Sequence, residues 1–231
     1  MTPASLYLQE DGGLAFSTPA ANPVGFDTYE SDPANPVPYT QEITFSSTRE
    51  YMVEDQRFVS TRPDVLVYET EVLEQDLTLA GPITANLFVS TTGTDADYII
   101  KLIDVFPDDE KEWQKPEEKY LKAPMAGYQM LVRAEVMRAK FRNSFVNPEP
   151  LVPDQVTEVR FRAPDIFHTF KKGHRIMVHV QSSWFPLVDR NPQQFLDIYN
   201  ATDADYLRAT HRIYRSAQYP SHLSIGQLAG K

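Results

Sequence analysis

Cysteine is absent from the 231 residues, so neither a disulfide framework nor a thiolate metal site can brace this chain. Histidine and carboxylate ligands are the metal donors left to weigh. Glycine is scarce, 9 residues against 18 prolines, and Gly12-Gly13 is the one adjacent pair. No G-x-G-x-x-G or G-K-[ST] element can therefore cradle a phosphate. No apolar run approaches the ~18 residues of a membrane span, and the start MTPASLYLQEDGG lacks a charged-then-apolar leader. Basic residues are the minority, 22 against 32 acidic, for a formal charge of −10. That charge repels a phosphate backbone, so neither nucleic acid nor a membrane is expected as a partner.

What remains is a chain with 42% hydrophobic and 12% aromatic residues, enough for one sizeable core. Short runs of Val, Ile, Thr, Tyr and Phe point to an all-β fold. A single domain over 1–231 is expected, with an extended, proline-punctuated lead-in and first strands over 1–64 and a core sandwich over 65–231. Strands are expected at Val65–Thr70 and Ile83–Val89, with Gly81-Pro82 punctuating the gap between them. Tyr98–Phe106 is apolar on both faces except for Lys101 and Asp104, the pattern of a central strand. Residues 108–122 are charge-dense and read as a solvated insertion. Val156–Arg162 alternates as a half-exposed strand. Near the end, Thr202 with Asp205 resembles a capping box, and Tyr206, Ala209 and Ile213 follow at helical spacing, which predicts a short helix.

Chemistry is hard to find in these residues. A nucleophile elbow needs G-x-S-x-G on a strand-to-helix turn, and the nearest approach, His222-Leu-Ser224-Ile-Gly226, has only one of the glycines. His168, His174 and His179 invite a metal reading, but period-two alternation puts His174 and His179 on opposite faces of one strand. Structural or surface histidines are the better reading. Asp95, Asp97, Asp104, Asp108 and Asp109 lack the D-x-D-x-D-G order of a calcium loop. No catalytic residue, metal or cofactor is assigned.

Several motifs taken together resemble a known family. They are DPANPVP from Asp32 to Pro38, EDQR from Glu54 to Arg57, RPDVL from Arg62 to Leu66, and Gly81-Pro82. TDADY from Thr94 to Tyr98 runs into KLIDVFP from Lys101 to Pro107. GHRIM from Gly173 to Met177 runs into SSWFP from Ser182 to Pro186 and DRNP from Asp189 to Pro192. Their order resembles the C-terminal domain shared by X-prolyl dipeptidyl peptidases, cocaine-esterase-like hydrolases, α-amino-acid ester hydrolases and glutaryl-cephalosporanic acid acylases. AGYQM from Ala126 and AKFRNS from Ala139 look most like the ester hydrolase and acylase branch.

The resemblance implies a galactose-binding-like jelly roll that packs on a preceding α/β-hydrolase domain, which carries the serine, aspartate and histidine of catalysis. The hydrolase domain is thus expected before Met1 and is the expected partner, with homo-oligomers possible through the parent enzyme, a bacterial periplasmic or secreted protein being one setting. Within this reading Asp104, His174, Arg175, Trp184, Asp189, Arg190 and Asn191 form a structural motif. Ile43 and Phe45 are expected to form one wall of the substrate cleft, with ordinary core positions as the alternative. The rival functional class is a free-standing carbohydrate- or ligand-binding jelly roll, for which Trp113 or Trp184 would be the anchors.

Overall fold

The computed structural model describes residues 1–19, 25–42, 49–115, 117 and 122–228. Ile43 and Phe45 lie outside the described residues. The described chain folds as two antiparallel sheets packed face to face, with no closed barrel.

The larger sheet runs β2 (Leu14–Ala15), β1 (Thr2–Leu8), β13 (His222–Gln227), β5 (Leu77–Thr91), β12 (Ala209–Tyr214), β3 (Phe26–Ser31). Strand β10 (Thr157–Phe170) pairs along the other side of β5. The smaller sheet has the order β4 (Val65–Glu69), β11 (Arg175–Gln181), β6 (Asp97–Val105), β9 (Gln129–Arg138). β6 is thus central, as its apolar run predicts. The charged insertion contributes a small hairpin, β7 (Trp113–Gln114) with β8 (Lys122–Ala123).

The core lies between the sheets and is set by alternation. Ile83, Ala85, Leu87 and Val89 of β5 and Val159 and Phe161 of β10 face Tyr98, Ile100 and Leu102 of β6 and Ile176, Val178 and Val180 of β11. On β10, Glu158, Arg160 and Arg162 point to solvent between these core residues, as the strict alternation from Val156 predicts.

Two sequence expectations need correcting. Gly81-Pro82 does not separate strands; it lies inside the 15-residue β5. There the ladder with β10 shifts register between Ala163 and Ile166, across Pro164. Each strand carries a proline where the ladder is interrupted, so neither missing N–H costs a hydrogen bond, and Gly81 supplies the positive φ of the irregularity. The predicted helix near the C-terminus shrinks to a single 3-10 turn at Asp203–Asp205, and Ala209–Tyr214 is strand β12. The cap is nonetheless made: the Asp205 carboxylate accepts from the backbone N–H and the hydroxyl of Thr202 at 2.7 and 2.8 Å. The helix stops because Ala209, His211 and Ile213 are buried on one strand face between β5 and β3, a tertiary demand that outweighs local spacing.

The outer face of the smaller sheet is also covered. Helix α1 (Arg57–Ser60) and the turn before it lie over β4, β6 and β11, burying Val59 against Val37 and Val65. Tyr39, Tyr51 and Trp184 pack on Ile99 beside them.

Candidate functional site

Three groups of residues could carry function: a loop cluster at one end of the sandwich, a polar layer under α1, and an Asp-His cluster at the opposite end of β6.

The loop cluster is organised by two carboxylates that the β5–β6 connection buries. Asp97 accepts from Arg138 Nε and Nη2 at 2.8 and 3.0 Å, and from Asn191 Nδ2 at 2.8 Å. Burial alone would lower the Arg138 guanidinium, but its hydrogen bonds and charge contacts with Asp97 and Asp189 outweigh that and hold its pKa above the ordinary value. Asp189 is the exposed arm of this group, 3.0 Å from Arg138. Asp95, buried beside Asp97, is raised to about 6 by burial and by that neighbouring charge, against hydrogen bonds from the backbone N–H groups of Ala96 and Lys140.

Asn191 turns the chain further inward. Its Oδ1 accepts from Gln193 N at 2.7 Å, while Gln193 Nε2 donates to the carbonyls of Ser31 and Leu207. That leaves Gln193 Oε1 as an acceptor, so the 2.6 Å bond to His211 Nε2 fixes the proton on that nitrogen. Gly93 is needed here because a Cβ would collide with the Gln193 carbonyl. Arg190 is held differently. Its guanidinium donates to Pro33 O at 3.1 Å and lies 4.8 Å from the Tyr206 ring and 5.8 Å from that of Phe185.

Thr94 ties two loops to this end: its carbonyl accepts from Leu151 N and its hydroxyl from Phe195 N. Arg142 braces the first loop through the carbonyls of Ala139, Glu149 and Pro150. Together the loops hold large apolar side chains out in solvent: Phe145 is 78% exposed, Val146 84% and Tyr199 94%, with Val152, Phe195 and Leu207 also exposed.

Under α1, Lys101 is fully buried on the outward face of β6. Its Nζ donates to Gln56 Oε1 at 2.9 Å and lies 5.0 Å from the Trp184 ring centroid. Burial pulls its pKa down to about 7, with only the Glu54 charge opposing. His179, on β11 beside it, is 3.3 Å from Ser60 Oγ and is lowered to about 3 by burial and by Lys101. Glu54 Oε2, Gln181 Oε1, His179 Nδ1 and Trp184 Nε1 are buried there without hydrogen-bond partners. Trp184 is thus no exposed carbohydrate anchor. Trp113 is exposed, on the β7–β8 hairpin. Nothing but the missing charge partner of Lys101 in an apolar run could have announced this layer from sequence.

The third group joins residues far apart in the chain. Asp104, buried at the end of β6, accepts from His174 Nδ1 on one oxygen and from His168 Nε2 on the other, both at 2.8 Å. Face alternation correctly separates His174 from His179 but gives no sign that His168 reaches the same carboxylate. Arg175 lies at the β4 edge, 3.2 Å from Glu69. Among the described residues no group of three or more His, Asp or Glu side chains is placed to hold a metal ion. Ser224 sits within strand β13 rather than on a turn, its Oγ accepting from Asn86, and the His222 ring bonds Pro220 O instead.

Comparison with known proteins decides the family. The model of the X-Pro dipeptidyl-peptidase C-terminal non-catalytic domain matches residues 2–224. The chain belongs to this family. The same non-catalytic domain recurs in named relatives. A cocaine esterase of Rhodococcus sp. (strain MB1 Bresler) is 34% identical over 214 residues, which cover 93% of this chain and 34% of the esterase. The solved aminopeptidase from the marine sediment archaeon Thaumarchaeota archaeon superposes at a TM-score of 0.88 with 45% identity, covering 99% of this chain and 37% of its own. An α-amino acid ester hydrolase gives 0.88 with 41% identity, covering 98% and 36%. The chain thus spans about a third of the length of these relatives, and the family resemblance carried by the motifs holds.

Proposed function

We propose that this non-catalytic domain belongs to a serine hydrolase acting on esters or amides, and that it docks on the hydrolase part of the same chain through the loop cluster around Thr94. The observation that carries the docking reading is the set of apolar side chains that the two loops hold in solvent, chiefly Phe145, Val146 and Tyr199. Ordered loops rarely spend large side chains this way without a partner surface. The relatives' names, an esterase, an ester hydrolase and an aminopeptidase, support acyl transfer to water as the parent chemistry. The braces Asp97–Arg138–Asn191 and Arg142 support the same reading, since they fix loop backbones that have no sheet partner of their own. Ile43 and Phe45 as a wall of the substrate cleft, and assembly of the parent into a homo-oligomer, belong to the same proposal.

The test is a charge placed on the loops. Tyr199→Asp and Val146→Asp should leave the stability of the isolated chain within about 0.5 kcal/mol, the range of surface changes. In an enzyme joining this domain to its hydrolase part, the same substitutions should lower the thermal midpoint and raise sensitivity to protease. Unchanged behaviour in the joined enzyme would show that these loops do not dock.

A further inference from the structure

A groove of about 680 Å³ runs over the outer face of the larger sheet, across β1, β13 and β5. It lies well away from the loop cluster: the nine residue steps along β5 and its extension from Thr84 to Gly93 span about 30 Å at strand rise. Its floor follows from register. Ser5 pairs with Ser224, and Ser224 with Thr84, so three hydroxyls point outward in one row across three adjacent strands. Strands lie about 4.8 Å apart, which makes this row roughly 10 Å long, about two linked sugar rings. In the next row Tyr7 pairs with His222, their ring centroids 4.9 Å apart, and His222 with Asn86. Phe16 forms a further wall and is partly exposed.

Two observations narrow what such a groove can hold. The first is hydrogen bonding: Ser224 Oγ accepts from Asn86, whereas the hydroxyls of Ser5, Tyr7 and Thr84 make no hydrogen bond among the described residues. The second is charge: none of the side chains lining the groove is charged, in a chain with 22 basic and 32 acidic residues. A nucleic acid or a polyacidic ligand would find no cationic side chain to pair with. A lipid chain would strip water from three hydroxyls and return no hydrogen bond.

A neutral sugar meets both conditions, with hydroxyls for the serine and threonine row and C–H faces for Tyr7 and Phe16. We propose that this groove binds a neutral oligosaccharide of about two rings, with Ser5, Thr84 and Ser224 hydrogen-bonding its hydroxyls and Tyr7 packing on a ring face. The tryptophans take no part. The inference is independent of the docking reading and concerns a different surface.

The experiment is titration of the 231-residue chain with maltose, cellobiose, lactose and chitobiose, followed by amide NMR. Saturable shifts should centre on Ser5, Tyr7, Thr84 and Ser224 for at least one of these sugars. Thr84→Val and Ser5→Ala should each weaken that binding about three- to tenfold, the worth of one neutral hydrogen bond, with the thermal midpoint unchanged. Tyr7→Ala should weaken it further; were that variant poorly folded, the two hydroxyl variants would still decide. No saturable shift with any of the four sugars, or shifts that Thr84→Val and Ser5→Ala leave unaltered, would overturn the proposal.

Discussion

Strand β6 buries both of its faces, and the two are made of different material. Inward, Tyr98, Ile100 and Leu102 meet the larger sheet in a layer of hydrocarbon and aromatic rings. Outward, Ile99 and Ile103 flank Lys101, and the neighbouring strand adds His179 and Gln181 under the cover of α1. The inward layer follows from pattern alone, because a sandwich needs every second residue apolar. The outward layer exists only because the chain before β4 folds back over the sheet, and it leaves four buried polar atoms without partners. A face that is buried by another segment, rather than by the opposing sheet, tolerates polar groups at a cost in stability.

The largest expected effect compares the two faces through their histidines. His211 lies inside, against Tyr29 and Tyr98, and His179 lies outside; burial holds each neutral, with a pKa of about 3. Unfolded, each titrates near the ordinary 6.5, so between pH 6.5 and 3 the unfolded chain binds two protons that the native state refuses. Stability therefore falls with acid, by about 1.4 kcal/mol per pH unit for each histidine. Asp95 works the other way. Raised to about 6, it is protonated in the native state and ionised in the unfolded one between pH 6 and 3.8, which cancels one of the two. Denaturant midpoints measured from pH 7 to 3 should show this, and His179→Gln and His211→Gln should each remove one proton from the slope. A slope that His211→Gln reduces and His179→Gln leaves intact would mean that water reaches the outer layer, and the two faces would then differ in solvation as well as composition.

How much of this was legible beforehand divides along the same line. Alternation in β5, β6, β10 and β11 was readable, as was the opposition of His174 and His179, because both depend only on period two. The partners of Lys101 and Asp104 were not: Gln56 is 45 residues away, His168 and His174 are 64 and 70 away, and no local spacing encodes such meetings. Ala209–Tyr214 misled because Ala209 and Ile213, four residues apart, fit a helical face and a period of two equally well. In DRNP, Asn191 is buried on Asp97, Asp189 pairs with Arg138, and Arg190 is held by a carbonyl and two rings, none of them partners that local spacing encodes.

A smaller effect sharpens the contrast at Lys101. Its ammonium is lowered to about 7 in the native state against 10.5 when unfolded. Between those values the unfolded chain is protonated and the native one is not, so the wild-type protein gains stability as pH rises from 7 to 10.5. Lys101→Met keeps the length of the stem and removes the charge. The variant should be more stable by about 1 to 2 kcal/mol at pH 6, since replacing a buried charge by a hydrophobe is often stabilising. That advantage should shrink by about 1.4 kcal/mol per pH unit above pH 7. Midpoints of both proteins at pH 6, 8 and 10 give the comparison; a Met variant that is less stable at pH 6 would show that the Gln56 hydrogen bond and Trp184 contact outweigh the burial of charge.

The smallest effect is expected at Trp184, where the outer layer meets its aromatic lid. The indole ring stacks edge-on to Tyr51 at 5.9 Å and lies 5.0 Å below the Lys101 ammonium, yet its Nε1 is buried without an acceptor. Trp184→Phe deletes that unsatisfied donor, which favours the variant, and also deletes one ring's worth of buried area, which disfavours it. Each is worth about 1 to 3 kcal/mol, so they nearly cancel, and the net change should stay within about 1 kcal/mol. Truncating a purely hydrocarbon side chain of the inner face, such as Leu102, relieves no polar atom and would cost the full cavity term. Loss of the larger ring should also weaken its attraction for the ammonium and lower the Lys101 pKa a little further, moving the foot of the alkaline rise in stability below that of the wild type. A loss of about 3 kcal/mol or more in Trp184→Phe would mean that Nε1 is satisfied after all, and would make the lid as exacting a packing layer as the space between the sheets.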